Sequence, residues 1–367
     1  MIKPIAIHLP QFHPFPENDA WWGKGFTEWT NVVKARPYFK GHYQPHLPAD
    51  LGFYDLRLEE ARIAQAQLAA EHGIYGFCYY HYWFNGKRLL QRPLDDMIKS
   101  GKPDFPFMLC WANENWTRRW DGNDKEILIE QHYNTEDDKA HIKFLCAHFF
   151  SDARYIKVDD KPFFIIYRPE LIPDIATTLL TWRVAAREAG IGELHIGYMY
   201  TRETGDLHRH GFDCSIEFQP DFSDLAVRHW GQPWERALHK FGLKESAFLV
   251  NRVFEYRAYA EKMMLERKIM ADRYPGITPM WDNAARRKSN ATIFRNSTPA
   301  VYKKWLNTIV ENYREVEGND KFIFINAWNE WAEGNHLEPC QRWGKQYLEA
   351  TMEIVANANG LRNRTEL

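Results

Sequence analysis

The run Phe322-Ile323-Phe324-Ile325 leads directly into Asn326-Ala327-Trp328-Asn329-Glu330-Trp331-Ala332-Glu333-Gly334. Four consecutive apolar residues without alternation read as a strand buried on both faces, the pattern of a parallel sheet covered by helices. The polar and aromatic residues that follow then lie at the C-terminal end of that strand. Two carboxylates among Trp rings and amides suit glycosidic-bond chemistry. One carboxyl group holds a proton for the leaving oxygen, and the other stays ionised to assist attack on carbon. Indole faces suit the apolar faces of sugar rings, and amides suit hydroxyls. Glu330 and Glu333 are therefore the candidate catalytic pair. The structural alternative is a helix N-terminus, where acids are favourable in any case.

Seven more short apolar or aromatic runs occur along the chain. Strands are predicted at 3–8, 75–80, 106–111, 163–167, 194–199, 214–218, 277–282 and 321–327. Helical patterns fall at 54–72, 88–99, 136–150, 172–189, 254–273, 299–316 and 343–357. This alternation argues for βα units and a parallel sheet. Helix starts are marked by Ser297-Thr298-Pro299, a cap before a first-turn proline, and by the acids after Asn134-Thr135. Only Thr201 to Phe212 separates the fifth and sixth strands, too little for a full crossover helix, and 219–253 is long and irregular. Eight units predict an α/β fold, a (β/α)8 TIM barrel with long βα loops, as a single catalytic domain over residues 1–360. A polar tail is expected at 361–367. A doubly wound open sheet is the alternative, weakened because no GxGxxG follows a strand.

In such a barrel, chemistry gathers where the strands end. The predicted ends carry His8-Leu9-Pro10-Gln11, Tyr80-His81-Tyr82-Trp83, Trp111-Ala112-Asn113-Glu114, Tyr167-Arg168, Tyr198-Met199-Tyr200, Glu217-Phe218-Gln219, Trp281-Asp282-Asn283 and the opening motif. Candidates for hydroxyl contacts are His81, Asn113, Glu114 and Asn329, and His8, Gln11, Tyr80 and Arg168 are further candidates for substrate binding. Candidates for stacking are Trp21, Trp22, Trp83, Trp111 and Trp331. Each has a structural counterpart: a hydrogen-bonded core histidine, a loop-holding ion pair for Glu114 or Arg168, or indoles that pack the long loop 13–50. His8, His13, His81 and Glu114 lack metal-ligand spacing, so no metal or cofactor is expected.

Composition narrows the partners. The net charge of −2 offers no basic field for nucleic acid. No apolar run reaches the roughly 18 residues of a membrane span. Five cysteines without paired spacing argue against a disulfide framework and for a reducing, cytoplasmic setting. Aromatics make up 15% of the chain and cluster at the strand ends, where a core needs them less, which favours an oligosaccharide or polysaccharide as the partner.

Several stretches carry a family resemblance: Leu9-Pro10-Gln11-Phe12-His13, Asn18-Asp19-Ala20-Trp21-Trp22-Gly23-Lys24-Gly25-Phe26-Thr27-Glu28-Trp29, Gly76-Phe77-Cys78-Tyr79-Tyr80-His81-Tyr82-Trp83, Trp111-Ala112-Asn113-Glu114-Asn115-Trp116 and Trp328-Asn329-Glu330-Trp331-Ala332-Glu333-Gly334. They resemble the WbsX-type domain, a bacterial family labelled glycosyltransferase and related to glycoside hydrolase family 99. The resemblance implies a (β/α)8 barrel. Family 99 enzymes are retaining endo-acting α-mannosidases in which the substrate's own 2-hydroxyl attacks the anomeric carbon. Carried over, Glu330 is the base toward that hydroxyl and Glu333 the general acid/base. Ala332 departs from the family 99 pattern, which has His there, so the sugar subsite is expected to differ. The expected function is a retaining endo-acting α-glycosidase or transglycosylase on a surface or O-antigen-type polysaccharide, in the setting of lipopolysaccharide biosynthesis. A nucleotide- or lipid-sugar-dependent glycosyltransferase is the alternative, although no DxD donor motif is found. A non-catalytic glycan-binding protein is the third reading.

Overall fold

The computed structural model describes residues 1–118, 123–317 and 321–360, so the tail expected at 361–367 lies outside the described residues. Nine short strands build the central sheet: β1 (Ile2–His8), β2 (Gly76–Phe84), β3 (Phe107–Trp111), β4 (Lys161–Ile166), β5 (His195–Tyr200), β6 (Cys214–Glu217), β7 (Arg273–Tyr274), β8 (Gly276–Ile277) and β9 (Lys321–Ile325). They pair in parallel in the order β7-β6-β5-β4-β3-β2-β1-β9-β8. The two ends of that path, β7 and β8, are separated by Pro275 alone, so the sheet curls into a nearly closed barrel. Ile5, Ile165, Ile323 and Ile325 are fully buried, as unbroken apolar strands with both faces covered must be. The barrel class agrees with the sequence expectation, with β7 and β8 sharing one stave.

That stave is also where the boundary expectation fails. The sequence places it at 277–282, but the structure places it at 273–277. Thr278 Oγ1 donates to the Met280 carbonyl at 2.8 Å, which ends the strand and releases Trp281 and Asp282 toward the mouth. Pro275 has no N–H for the ladder but still accepts from Phe324 N at 2.9 Å. Gly276 is demanded by close approach, since a Cβ there would lie 1.8 Å from the Glu217 carbonyl oxygen. Gly276→Ala is expected to destabilise the fold at or above the upper end of the ~1–3 kcal/mol typical of overpacking. A lowered denaturation midpoint would show this, and an unchanged midpoint would refute the close approach.

The seven longest helices among the described residues accompany the strands: α1 (Glu59–Glu71), α2 (Arg92–Ser100), α3 (Thr135–Leu145), α4 (Ile175–Glu188), α5 (Tyr256–Glu266), α6 (Pro299–Arg314) and α7 (Gln346–Ala358). The start signals act as expected. Asn134 Oδ1 accepts from Asp137 N, and Thr298 Oγ1 accepts from Val301 N with Pro299 in the first turn. On α4, Ile175, Leu179, Trp182 and Ala186 form the buried stripe at helical spacing. Only a single 3-10 turn, His208–His210, lies between β5 and β6.

Two helices differ from the expectation. The segment expected at 136–150 is α-helical only to Leu145 and then widens into a π-turn at Cys146–Phe150. The segment expected at 254–273 is helical over Tyr256–Glu266. Its first residues belong instead to a strand, Arg252–Glu255, which pairs with Arg228–His229 and Thr292–Arg295 in a small separate sheet. No described helix is long and apolar enough to cross a membrane. The five cysteines are buried and unpaired.

Candidate active site

Beyond β9 the chain turns tightly. Asn329–Glu330 pairs antiparallel with Asn335–His336, a 3-10 turn covers Trp331–Glu333, and Gly334 sits at φ +53°. Gly334 cannot easily be replaced, because a Cβ would also lie 2.9 Å from that of Asp282. Glu330 ends the short strand and Glu333 ends the 3-10 turn, and both carboxylates reach the same guanidinium, that of Arg286. They face a cleft of about 440 Å³ at the C-terminal ends of the strands.

One guanidinium holds this pair. Arg286 Nη1 donates to Glu333 Oε1 at 2.5 Å, and Nη2 donates to Glu330 Oε2 at 3.1 Å. Nη2 also lies 3.1 Å from Oε1 of Glu28, a fully buried third carboxylate. Burial opposes the Arg286 charge, but Glu28, Glu333 and Glu330 more than offset it and raise its pKa. Burial likewise raises Glu28, with Arg286 pulling the other way. Glu330 is pushed up to about 8, by burial first and the Glu333 charge second, against the pull of Arg286. Three carboxylates around one cation leave excess negative charge in a buried place, so a proton is retained there at neutral pH.

The cleft walls are aromatic and polar. Tyr80 and Tyr82 come from β2, and Trp116, Tyr167, Phe218, Phe222 and Trp281 from the loops beyond other strands. Gln11 Nε2 and Asn326 Oδ1 are buried at the cleft without a protein partner, a donor and an acceptor free for a bound hydroxyl. Glu114 and Arg168 lie across the cleft as an ion pair at 3.0 Å, and Arg168 also bonds Glu170.

Of the residues singled out from sequence, the structure brings Gln11, Tyr80, Glu114, Arg168, Glu330 and Glu333 to the cleft. The others lie behind its wall, largely through strand parity. Successive side chains of β2 alternate, so Tyr80 and Tyr82 face the cleft while His81 and Trp83 face the helices. His81 Nε2 sits 3.0 Å from His141 Nε2, and Trp83 stacks on His141 and donates to Asp137. Trp111 packs between His141 and Trp182 and donates to the Trp83 carbonyl. His8 bonds Gln65 of α1, and burial lowers its pKa to about 3.

The remaining residues brace loops. Asn113 ties the loop after β3 to that after β4, accepting from Arg168 N at 2.7 Å and donating to the Arg168 carbonyl at 2.8 Å. Asn329 clamps the end of β1 through both backbone groups of Leu9. Trp331 stacks on His336 and donates to Glu338 at 2.6 Å. Trp21 packs against the cleft residue Trp116, and Trp22 packs against Phe26 with Arg118 over its ring. Ala332 is fully buried, so the departure noted at this position lies behind the cleft surface.

Sequence reading missed Glu28, Arg286 and Glu338. Glu338 takes hydrogen bonds from Trp331, Tyr54 and Gln65, while Asn329 donates to Tyr54, so it buttresses the turn that carries Glu330. Glu28 stands inside a stretch that carries the family resemblance, which was the available signal. Arg286 has none, since it reaches the site only because the turn after Asp282 folds back.

The family described as Glycosyltransferase WbsX matches residues 4–351. The uncharacterized protein WxcX of Xanthomonas campestris pv. campestris (strain B100) is 42% identical over 357 residues, and a second strain's WxcX matches equally. The alignment takes in 96% of this chain and 50% of that protein, so the chain spans about half the length of the curated relatives it matches. Among solved structures, a glycoside hydrolase-like protein aligns with a TM-score of 0.59 at 14% identity, covering 96% of this chain and 93% of its own. The GH99 endo-alpha-mannosidase from Bacteroides thetaiotaomicron, in complex with BIS-TRIS-propane, aligns with a TM-score of 0.56 at 12% identity and 98% coverage of both chains. At such identities the likeness speaks for the fold alone.

Proposed function

The chain belongs to the WbsX glycosyltransferase family, and from that premise we propose that it is a carbohydrate-active enzyme that breaks or transfers an α-glycosidic bond with retention, within a surface-type polysaccharide. The observation that carries this reading is the Glu330–Arg286–Glu333 cluster in an aromatic-walled cleft. Retaining transfer by the substrate's 2-hydroxyl needs one proton on two carboxylates. Glu330 takes the hydroxyl proton as O2 bonds to C1, while Glu333 gives its proton to the departing oxygen as the C1–O bond breaks. In the second step Glu333 takes a proton from water, or from an acceptor hydroxyl, as that oxygen bonds to C1 and the C1–O2 bond breaks. O2 then recovers its proton from Glu330, and both carboxyl groups return to their starting states.

The empty site favours the proton on Glu330, the opposite of the reactive arrangement. A hydroxyl that donates to Glu330 favours its ionised form and so shifts the proton toward Glu333. Activity requires that proton and is lost once it leaves. The kcat/KM profile is therefore expected to fall above about pH 8, in line with the raised pKa of Glu330. A profile flat from about pH 6 to about pH 9 would sink the shared-proton scheme. The founding experiment is a screen of α-linked bacterial polysaccharides with product stereochemistry followed by NMR. An inverted anomer would eliminate the neighbouring-group route.

A further inference from the structure

The cleft wall beside the carboxylates carries positive charge that bond cleavage does not use. Arg252 lines the cleft and forms no ion pair among the described residues. It begins the strand Arg252–Glu255, pairs in register with Thr292 and donates its backbone N–H to the Ala291 carbonyl at 2.8 Å. Asn290 and Thr292, from the partner strand, line the same wall. Arg287 lines it too. Its Cα is ~3.8 Å from that of Arg286, the residue that holds the catalytic pair. The Arg287 backbone is anchored by the Tyr38 hydroxyl, which donates to its carbonyl at 2.6 Å.

A second guanidinium backs Arg252. Behind Arg252, Arg228 gives its Nη2 to three backbone carbonyls, those of Phe248, Leu249 and Asn251, and meets no carboxylate there. Its pKa is lowered by burial and then by the nearby Arg252 charge. Across the cleft the situation is opposite, since Arg168 is already matched by Glu114 and Glu170.

We propose that this wall is an anion subsite, which receives a carboxylate or phosphate group carried by the saccharide, so that the preferred substrate is an acidic glycan. The inference rests on the proposed glycan-cleaving function and adds a substrate class to it. A guanidinium offers paired N–H donors to such a group, and Asn290 and Thr292 supply neutral partners. Arg252 lines the same cleft as Glu330 and Glu333, so the anion is carried by a sugar bound in that cleft. A diphosphate would usually be cradled by a glycine-rich backbone loop, and no glycine lines this cleft among the described residues. The anion is therefore assigned to the glycan.

The test is calorimetric titration of the Glu333→Gln protein, in which turnover of a natural glycan is slowed enough for binding to be read. The probes are α-linked oligosaccharides matched in length, one neutral and one uronate-bearing, with uridine diphosphate as a separate arm. The uronate glycan is expected to bind about 10-fold tighter or more, with the preference shrinking as salt is raised. Adding Arg252→Gln is expected to bring the affinity ratio close to one. Equal affinities, no binding of either glycan, or a ratio unchanged by Arg252→Gln would overturn the subsite. Uridine diphosphate binding that depends on Arg252, without a uronate preference, would overturn the glycan-borne anion in favour of a nucleotide. A uronate preference without turnover by the native protein would defeat the cleavage reading alone, and turnover without preference would defeat the subsite alone.

Discussion

Replacing Glu333 by Gln is expected to lower kcat/KM on a natural glycan by about 10²–10⁴-fold, the range for loss of a positioned proton donor. A sugar oxygen is a poor leaving group and needs that proton as the C1–O bond breaks. An activated aryl leaving group needs it far less, so the first step should be nearly spared with such a substrate. Water attack then becomes slow, because the same carboxylate serves as base in the second step. The variant should therefore show a burst of aryl release followed by a slow steady state. Equal losses on both substrate types, with no burst, would remove Glu333 from the acid/base role. The amide cannot replace the Arg286 ion pair, so the thermal midpoint of the variant should be measured alongside to separate misfolding from lost chemistry.

Arg286→Met should be the most damaging substitution for stability. It removes the cation from Glu28, Glu330 and Glu333 while leaving all three in place. Removing one partner of a buried charged group typically costs about 3–5 kcal/mol, because the other charge stays buried and unpaired. The sign of the pH dependence follows. The native site already raises Glu330 and Glu28 above ordinary carboxylate values, and without Arg286 they rise further. Carboxyl groups whose folded pKa is raised favour folding when protonated, and that contribution is lost as pH rises through the folded value. The gap in thermal midpoint between the native protein and Arg286→Met should therefore narrow on acidification and widen above about pH 8. Adding Glu28→Gln to Arg286→Met should recover part of the loss at neutral pH. A gap independent of pH, with no recovery by Glu28→Gln, would mean that Arg286 acts through packing alone.

Much of this molecule was legible in one dimension because its signals are local. Unbroken apolar runs such as Phe322 to Ile325 mark strands covered on both faces, and capped periodic segments such as Pro299–Arg314 mark helices. Counting them was enough for the barrel. The Asn329–Gly334 stretch could be singled out because its two carboxylates lie among Trp rings between a buried strand and a glycine, all within a few residues. The stave at 273–277 was misplaced because a strand interrupted by Pro275 has no apolar run of its own, and its position follows from what it pairs with on either side.

What the sequence by itself determined was the fold class and the position of the carboxylate pair. Only the tertiary structure decided which strand-end residues reach the cleft. Side-chain parity sends Tyr80 and Tyr82 inward and His81 and Trp83 outward, and composition cannot register a face. Only the tertiary structure, too, brings Glu28 from the other end of the chain, and Arg286 from 44 and 47 residues away, to Glu330 and Glu333, so the charge balance that sets the proton on this site has no trace in any short stretch of chain. Electrostatic energy depends on distance through space and on burial, and both are properties of the folded chain.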